Sequence, residues 1–208
     1  MTRALLRHMR LFFATGCPYA QRTRALLTHL RQPFEPREID LANKPEDFLK
    51  LSPTGAVPLL DDEGFVLFES AVVNEYLAEK FAWKDALPAD VHERARHRLA
   101  MKRFDDVLSP LFFRSLKEPN AIDAHPTWRR ELTYFAEIVR NAPVRSLLGL
   151  HVAPHWVRMK WTKPDSRVVT EMQAAAGAFL DAAEALPEIQ STLPERKATV
   201  KALLAKFG

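Results

Sequence analysis

Only one cysteine, Cys17, occurs in the 208 residues, so no disulfide can form within the chain. A single thiol fits a reducing compartment, and the cytoplasm is the expectation. No apolar run approaches the length needed to cross a bilayer, which argues against a membrane partner. The opening MTRALLRHMR is basic but lacks an apolar core segment and a small-residue cleavage site, so no signal peptide is read there. Charge of either sign is not in large excess. The 30 basic and 26 acidic residues give +4, scattered along the chain rather than gathered on one face, and a nucleic-acid partner is not expected. Internal repeats and low-complexity segments are absent. What remains is an ordinary composition, 47% apolar and 27% charged, enough to bury a real core.

The pattern changes character near residue 85. RLFFA (10–14) is a short apolar run that suits a buried strand, and Pro18 suits the first turn of a helix over 18–31. In that helix Ala20, Ala25, Leu26, Leu27 and Leu30 supply the inward positions, and Arg22, Arg24 and Arg31 are expected to face out. FEPREI (34–39) reads as a second strand. A short helix over 44–51 is expected to take Asn43 as its cap, with Pro45 in its first turn. The runs VPLL and FVLF flank Asp61-Asp62-Glu63-Gly64 as a hairpin, and ESAVVNEYLAEKF opens a helix at Glu69. Its inward stripe is Ala71, Val72, Val73, Tyr76, Leu77 and Phe81. A crossover helix between the first two strands predicts that they pair in parallel, with the hairpin adding antiparallel strands. After a linker-like stretch at 83–90 the strand pattern stops. Leu99, Phe104, Val107, Leu108, Leu111 and Phe112 recur at helical intervals over 89–116, where Pro110 is expected to kink or end the helix. Further helices are expected over 127–141, 146–161, 166–186 and 194–207. The layout is an α/β domain over 1–83 followed by an all-helical domain over 89–208.

ATGCPYAQRTR (14–24) carries the lone thiol at the junction of strand and helix. Orphan backbone N–H groups and the positive end of the helix dipole favour thiolate at such a place. Packing as a small buried residue is the common fate of a free cysteine, but a strand end, a glycine and a helix-starting proline put this one at a rim. Glutaredoxin-like enzymes carry Cys-Pro-Tyr-Cys at a helix start, and Ala20 stands here in the fourth position. A dithiol mechanism needs a second cysteine to attack the mixed disulfide. If Cys17 does redox chemistry, its resolving thiol comes from outside the chain, glutathione being the abundant cytosolic candidate.

Two other junctions leave alternatives open. Pro58 cannot donate a ladder bond and belongs at a strand start or edge. A cis Val57–Pro58 bond would turn the Val57 backbone toward a ligand, whereas trans is the ordinary state of an X–Pro bond. Glu69-Ser70 at a helix start can serve simply as cap and dipole complement. It can equally hold a ligand carboxylate at the helix N-terminus while Glu69 accepts from an ammonium.

Taken in order, CPYAQRTR, IDLANKPEDFLKLSP, TGAVPLL and FESAVVNEYLAEKF resemble the thioredoxin-like N-terminal domain of glutathione S-transferases, over residues 9–82. Among the classes the omega class, whose catalytic residue is a cysteine, is the most similar. The resemblance implies an α/β thioredoxin-like domain and an all-α C-terminal domain, a homodimer, and glutathione as co-substrate with a small electrophilic or disulfide acceptor. Cys17 would be the nucleophile that forms a mixed disulfide with glutathione. Tyr19 would line the pocket, and Lys44 would reach the glycyl carboxylate. Val57 before cis-Pro58 would pair with the cysteinyl moiety, and Glu69 and Ser70 would hold the γ-glutamyl end. The implied activity is glutathione-dependent thiol transfer and reduction, with conjugation a weaker activity. SLLGLHVAPHW (146–156) resembles the family's buried capping box in Ser146 and Pro154, but Gly149 stands where an Asp is expected, so the box cannot close in the usual way.

Two rival resemblances lead to different classes. Stringent-starvation-type regulators use the same scaffold without catalysis, typically without a usable cysteine, and intracellular chloride channels share the cysteine motif. His151 and His155 could share a helix face, but no third ligand is evident, and no metal is expected. Trp156 and Trp161 are read as packing residues. The amphipathic 194–207 is read as a docked helix rather than a membrane anchor.

Overall fold

The computed structural model describes residues 9–118 and 120–207. The first eight residues, on which most of the reading against a signal peptide rests, lie outside the described ones. The chain divides into two compact units between Trp83 and Lys84.

The first unit runs β1 (Met9–Phe13), α1 (Pro18–His29), β2 (Glu35–Glu38), α2 (Glu46–Leu51), β3 (Leu59–Asp62), β4 (Phe65–Phe68) and α3 (Ser70–Lys80). Its sheet has the order β2-β1-β3-β4. β1 is parallel to β2 and antiparallel to β3, with Phe12 opposite Arg37 on one side and Leu59 on the other. Leu11, Leu26, Leu27, Phe48, Leu59, Leu60, Val73 and Leu77 are fully buried and form the core between sheet and helices. This is the expected α/β thioredoxin-like architecture.

Several local expectations are corrected. Arg22 has no exposed surface at all, so it faces the interior rather than solvent. Val72 is 53% exposed, and the buried stripe of α3 runs instead through Ser70, Val73, Asn74, Leu77 and Ala78. Both departures have one cause: Arg22 and Thr23 on α1 hydrogen-bond Ser70 and Asn74 on α3, at 3.2 and 2.8 Å, which makes polar residues fit a buried helix face. Asn43 does not cap α2. Its N–H donates to the Asp40 carbonyl in a turn, and Pro45 is the cap residue, outside the helix. Asp61 and Asp62 belong to β3 and are buried, leaving a two-residue turn in which Glu63 and Gly64 both have positive φ, +57° and +93°. Burial of the two carboxylates is balanced by Arg10 on Asp61 and by Tyr76 and Lys80 on Asp62. The hydrogen bond to Asp62, together with burial as the larger cause, raises the Tyr76 hydroxyl above its ordinary pKa.

The second unit is all helical among the described residues: α4 (Val91–Arg103), α5 (Ser109–Lys117), α6 (Trp128–Val139), α7 (Leu147–Thr162), α8 (Arg167–Glu184), α9 (Pro187–Gln190) and α10 (Arg196–Phe207). A π-helical turn over Phe104–Leu108 separates α4 from α5, so the regular helix is interrupted before Pro110, which then sits in the first turn of α5. Leu99, expected inward, is 47% exposed. Helix α7 is buried on every side from Leu147 to Met159 and is the hub of the unit. His151 and His155 lie inside it, packed edge-on against Phe104, with His151 Nε2 3.1 Å from Asp105 Oδ2. Among the described residues no group of three or more His, Cys, Asp or Glu could hold a metal ion. Trp156 is buried and its indole N–H donates to Asp181 at 3.1 Å. Arg196 stacks over the half-buried Trp161, and Phe207 packs on Phe113, which docks α10 against α7 and α5.

The start of α7 explains Gly149. Ser146 is the cap and accepts from the Gly149 N–H at 3.4 Å, so half of the capping box is made. In the full box a side chain from the third helical position accepts from the cap residue's own N–H. Here the Val144 carbonyl does so, receiving the Ser146 N–H at 3.0 Å. The same oxygen lies 1.9 Å from where a β-carbon on Gly149 would sit. A backbone carbonyl has taken both the space and the task of the missing carboxylate. Gly149→Asp should therefore lower stability, by about 1–3 kcal/mol or more, instead of restoring the box. Thermal unfolding of the variant checks this, and an unchanged or raised midpoint would contradict it.

Candidate functional site

Helix α1 begins at Pro18 because proline's fixed φ suits a first turn and its missing N–H is not needed there. That makes Cys17 the cap residue, extended at φ −75° and ψ 120°, its N–H donating to the Ala14 carbonyl and its carbonyl accepting from Gln21. The side chain makes no capping bond and the first turn contains no acidic residue. Its position thus faces the positive end of the α1 dipole without an opposing charge on that turn. The thiol is half-buried, and Sγ stands 3.8 Å from the carbonyl oxygen of Val57.

Val57 is brought there by the loop between α2 and β3. Gly55 has φ +62° and its N–H donates to the Ser52 carbonyl, turning the chain back. The Val57–Pro58 bond is cis. Both residues precede the first ladder pair of β3, Leu59 with Phe12, and so lie outside the sheet's register with β1. Lys44 is half-buried and extends over the same loop, with Nζ 3.4 Å from where a β-carbon on Gly55 would sit.

The third part is the start of α3. Glu69 is its cap residue at φ +67° and ψ 107°, exposed, and its side chain makes no capping bond. Positive φ in a residue with a β-carbon costs about 1–3 kcal/mol and persists only where surroundings enforce it. Ser70 is 5% exposed and accepts a hydrogen bond from Arg22 rather than capping the helix. The capping explanation of this pair therefore fails on both residues. The Arg22 guanidinium lies 4.7 Å from the ring centroid of the half-exposed Tyr19.

The structure therefore joins Cys17 to Val57, Tyr19 through Arg22 to Ser70, and Lys44 to the loop that carries Val57. Two contributors escape a reading by residue type. Arg22 is three and four positions before Ala25 and Leu26, the helical spacing of one face, and that spacing is the signal that places it inward. Thr15, two residues before the thiol, donates to Glu38 at 2.5 Å and ties the Cys17 loop to β2. Nearby Arg24 lies 4.8 Å over Phe13; burial lowers its pKa, with Glu38 acting in the opposite direction.

No helix among the described residues is long and apolar enough to cross a membrane. The family described as "Glutathione S-transferase, N-terminal domain" matches residues 11–85. Glutathione S-transferase omega-1 of Sus scrofa is 34% identical over 116 residues, 55% of this chain and 48% of that protein, so the chain spans about half the length of this relative. A stringent starvation protein A homolog of Haemophilus influenzae is 30% identical over 159 residues, covering 73% of this chain and 75% of that protein. Among solved structures, glutathione transferase Omega 1C from Trametes versicolor superposes with a TM-score of 0.80 over 97% of each chain at 21% identity, a likeness of fold. With its sheet order, its cysteine-headed helix and these relatives together, the chain belongs to the glutathione S-transferase superfamily and is omega-like within it.

Proposed function

We propose that the protein is a glutathione-dependent thioltransferase that works with one protein thiol. The observation that carries this reading is the placement of Cys17, the only cysteine in the chain, at the start of α1 with Sγ facing the Val57 carbonyl. In the first step the Cys17 thiolate attacks the glutathione sulfur of a mixed disulfide. The substrate's S–S bond breaks, its thiolate leaves and takes up a proton, and Cys17 is left disulfide-bonded to glutathione. In the second step a glutathione thiolate attacks the glutathione sulfur of that adduct, releasing oxidised glutathione and regenerating the Cys17 thiolate. Ala20 makes an internal second step impossible.

The remaining residues supply a place for glutathione. The Val57 backbone pairs with its cysteinyl moiety, and Pro58 fixes that backbone outside the β-ladder. Lys44 pairs with the glycyl carboxylate, and Tyr19 lines the rim. Glu69 accepts from the α-ammonium, while the Ser70 hydroxyl and backbone N–H receive the γ-glutamyl carboxylate at the start of α3. A small disulfide or electrophilic acceptor, a homodimer and a cytoplasmic location complete the reading. Transfer of glutathione to electrophiles is the lesser activity, since a cysteine tends to trap glutathione as a disulfide.

One observation favours a second reading, that of a non-catalytic regulator: the match to the Haemophilus influenzae homolog covers 75% of that protein, against 48% of the Sus scrofa enzyme. Cys17→Ser separates the two. It should abolish glutathione-dependent reduction of a small mixed disulfide, and a variant as active as wild type, or a wild type with no activity, contradicts the enzymatic reading. Glu69→Gly tests the clamp. Glycine accepts positive φ freely, so stability should hold or rise by up to about 1 kcal/mol. Glutathione affinity should fall about tenfold with loss of the charged acceptor. Calorimetric melting and binding titration measure both, and an unchanged affinity removes Glu69 from the site.

A further inference from the structure

Arg22 is a fully buried cation in the second turn of the helix that begins at the thiol. It has no exposed surface, so it cannot touch a substrate. Its Nη1 donates to Ser70 Oγ at 3.2 Å, and its guanidinium lies 4.7 Å from the Tyr19 ring centroid. The next residue, Thr23, donates to Asn74 Oδ1 at 2.8 Å, one turn further along α3. Consecutive residues of α1 thus hold consecutive turns of α3, and the first of these holds is on the residue next to Glu69.

We propose that Arg22 is the positioning residue of the γ-glutamyl clamp: it fixes the Ser70 hydroxyl and sets the start of α3 in register with Cys17. The inference rests on the glutathione reading of the site. A serine hydroxyl has one proton and two lone pairs. With one lone pair taken by a charged donor, the Ser70 rotor is restricted and its proton is directed to another acceptor, which in this reading is the incoming carboxylate. A donor that is itself charged polarises the hydroxyl, so the outgoing hydrogen bond is strengthened as well as aimed. The buried positive charge adds to the positive end of the α3 dipole at the place where the carboxylate docks. Because the same side chain belongs to the helix headed by Cys17, the clamp and the thiol are carried by one connected unit. The linkage sets where the thiol stands relative to the clamp but not its reactivity, since Cys17 sits in the preceding turn and faces Val57.

The test is a double-mutant cycle read by two independent measurements. Arg22→Gln, Ser70→Ala and the double variant are titrated with reduced glutathione, and their Cys17 alkylation by iodoacetamide is timed without glutathione. Arg22→Gln is expected to weaken glutathione binding about tenfold in the wild-type background, and less than about threefold once Ser70 is Ala. Alkylation is expected to stay within about twofold of wild type throughout. Losses of equal size in both backgrounds overturn the proposal, as does a loss of alkylation that parallels the loss of binding. Should Arg22→Gln fail to fold, the cycle is run with Arg22→Lys, which keeps the buried stem and a donor; its smaller loss must likewise shrink when Ser70 is Ala. A wild-type chain that binds no glutathione overturns the functional reading and this inference with it, whereas additive losses in a chain that binds overturn the inference alone.

Discussion

Helix α1 is pinned to α3 by two buried polar contacts, Arg22 to Ser70 and Thr23 to Asn74, set beside the apolar contacts of Ala25, Leu26 and Leu27. A buried hydrogen bond fixes geometry in a way that apolar packing does not, because an unpaired polar group in the core costs about 1–3 kcal/mol. Sliding α1 along α3 would break both contacts at once. The position of Cys17 follows from that constraint, as does the distance between the thiol and the Glu69-Ser70 pair. The sheet supplies the other half of the site, since the loop leading into β3 must deliver the Val57 carbonyl to within 3.8 Å of the sulfur.

Three of the backbone irregularities of the amino-terminal unit lie at the candidate site, the others being turn and helix-end positions at Arg31, Glu63, Gly64 and Ala82. Gly55 turns the chain at positive φ, Val57–Pro58 is cis, and Glu69 adopts φ +67° despite carrying a side chain. The first two are conformations that glycine and proline accommodate. Glu69 is different, because a glycine there would be less strained and no capping bond is gained in exchange. Its carboxylate is exposed at the start of α3, and the surrounding structure holds its backbone in that state. The helical unit shows the opposite economy at Gly149, where backbone has replaced a side chain without disturbing the cap of α7.

The parallel pairing of the first two strands, the antiparallel hairpin and the cysteine-headed helix were legible because each rests on a local signal: a crossover helix, a glycine-containing turn, a proline after the cap. The cis state of Val57–Pro58 had no such local signal and was expected only from the family resemblance. The inward turn of Arg22 was not legible from residue type, since a charged residue on a helix is ordinarily solvated, and only its spacing from Ala25 and Leu26 betrays it. Asp61 and Asp62 misled in the same direction: their burial depends on Arg10, Tyr76 and Lys80, partners that only the fold brings near. Gly149 resembled a lost carboxylate because the carbonyl that replaces it, Val144, carries no signal in its side chain. Polar residues that are satisfied by distant partners are the part of this structure that a linear pattern cannot express.

The central claim is that Cys17 is a working thiol whose partner is glutathione. Intact mass spectrometry of the wild-type chain after incubation with oxidised glutathione tests it most directly, with peptide mapping to locate any adduct. The account predicts one glutathione per chain, attached to Cys17 and removed by a reducing agent or by excess reduced glutathione. A chain that stays unmodified, while a small thiol reagent still alkylates Cys17, would contradict it and would leave the scaffold without the partner its site is read to hold.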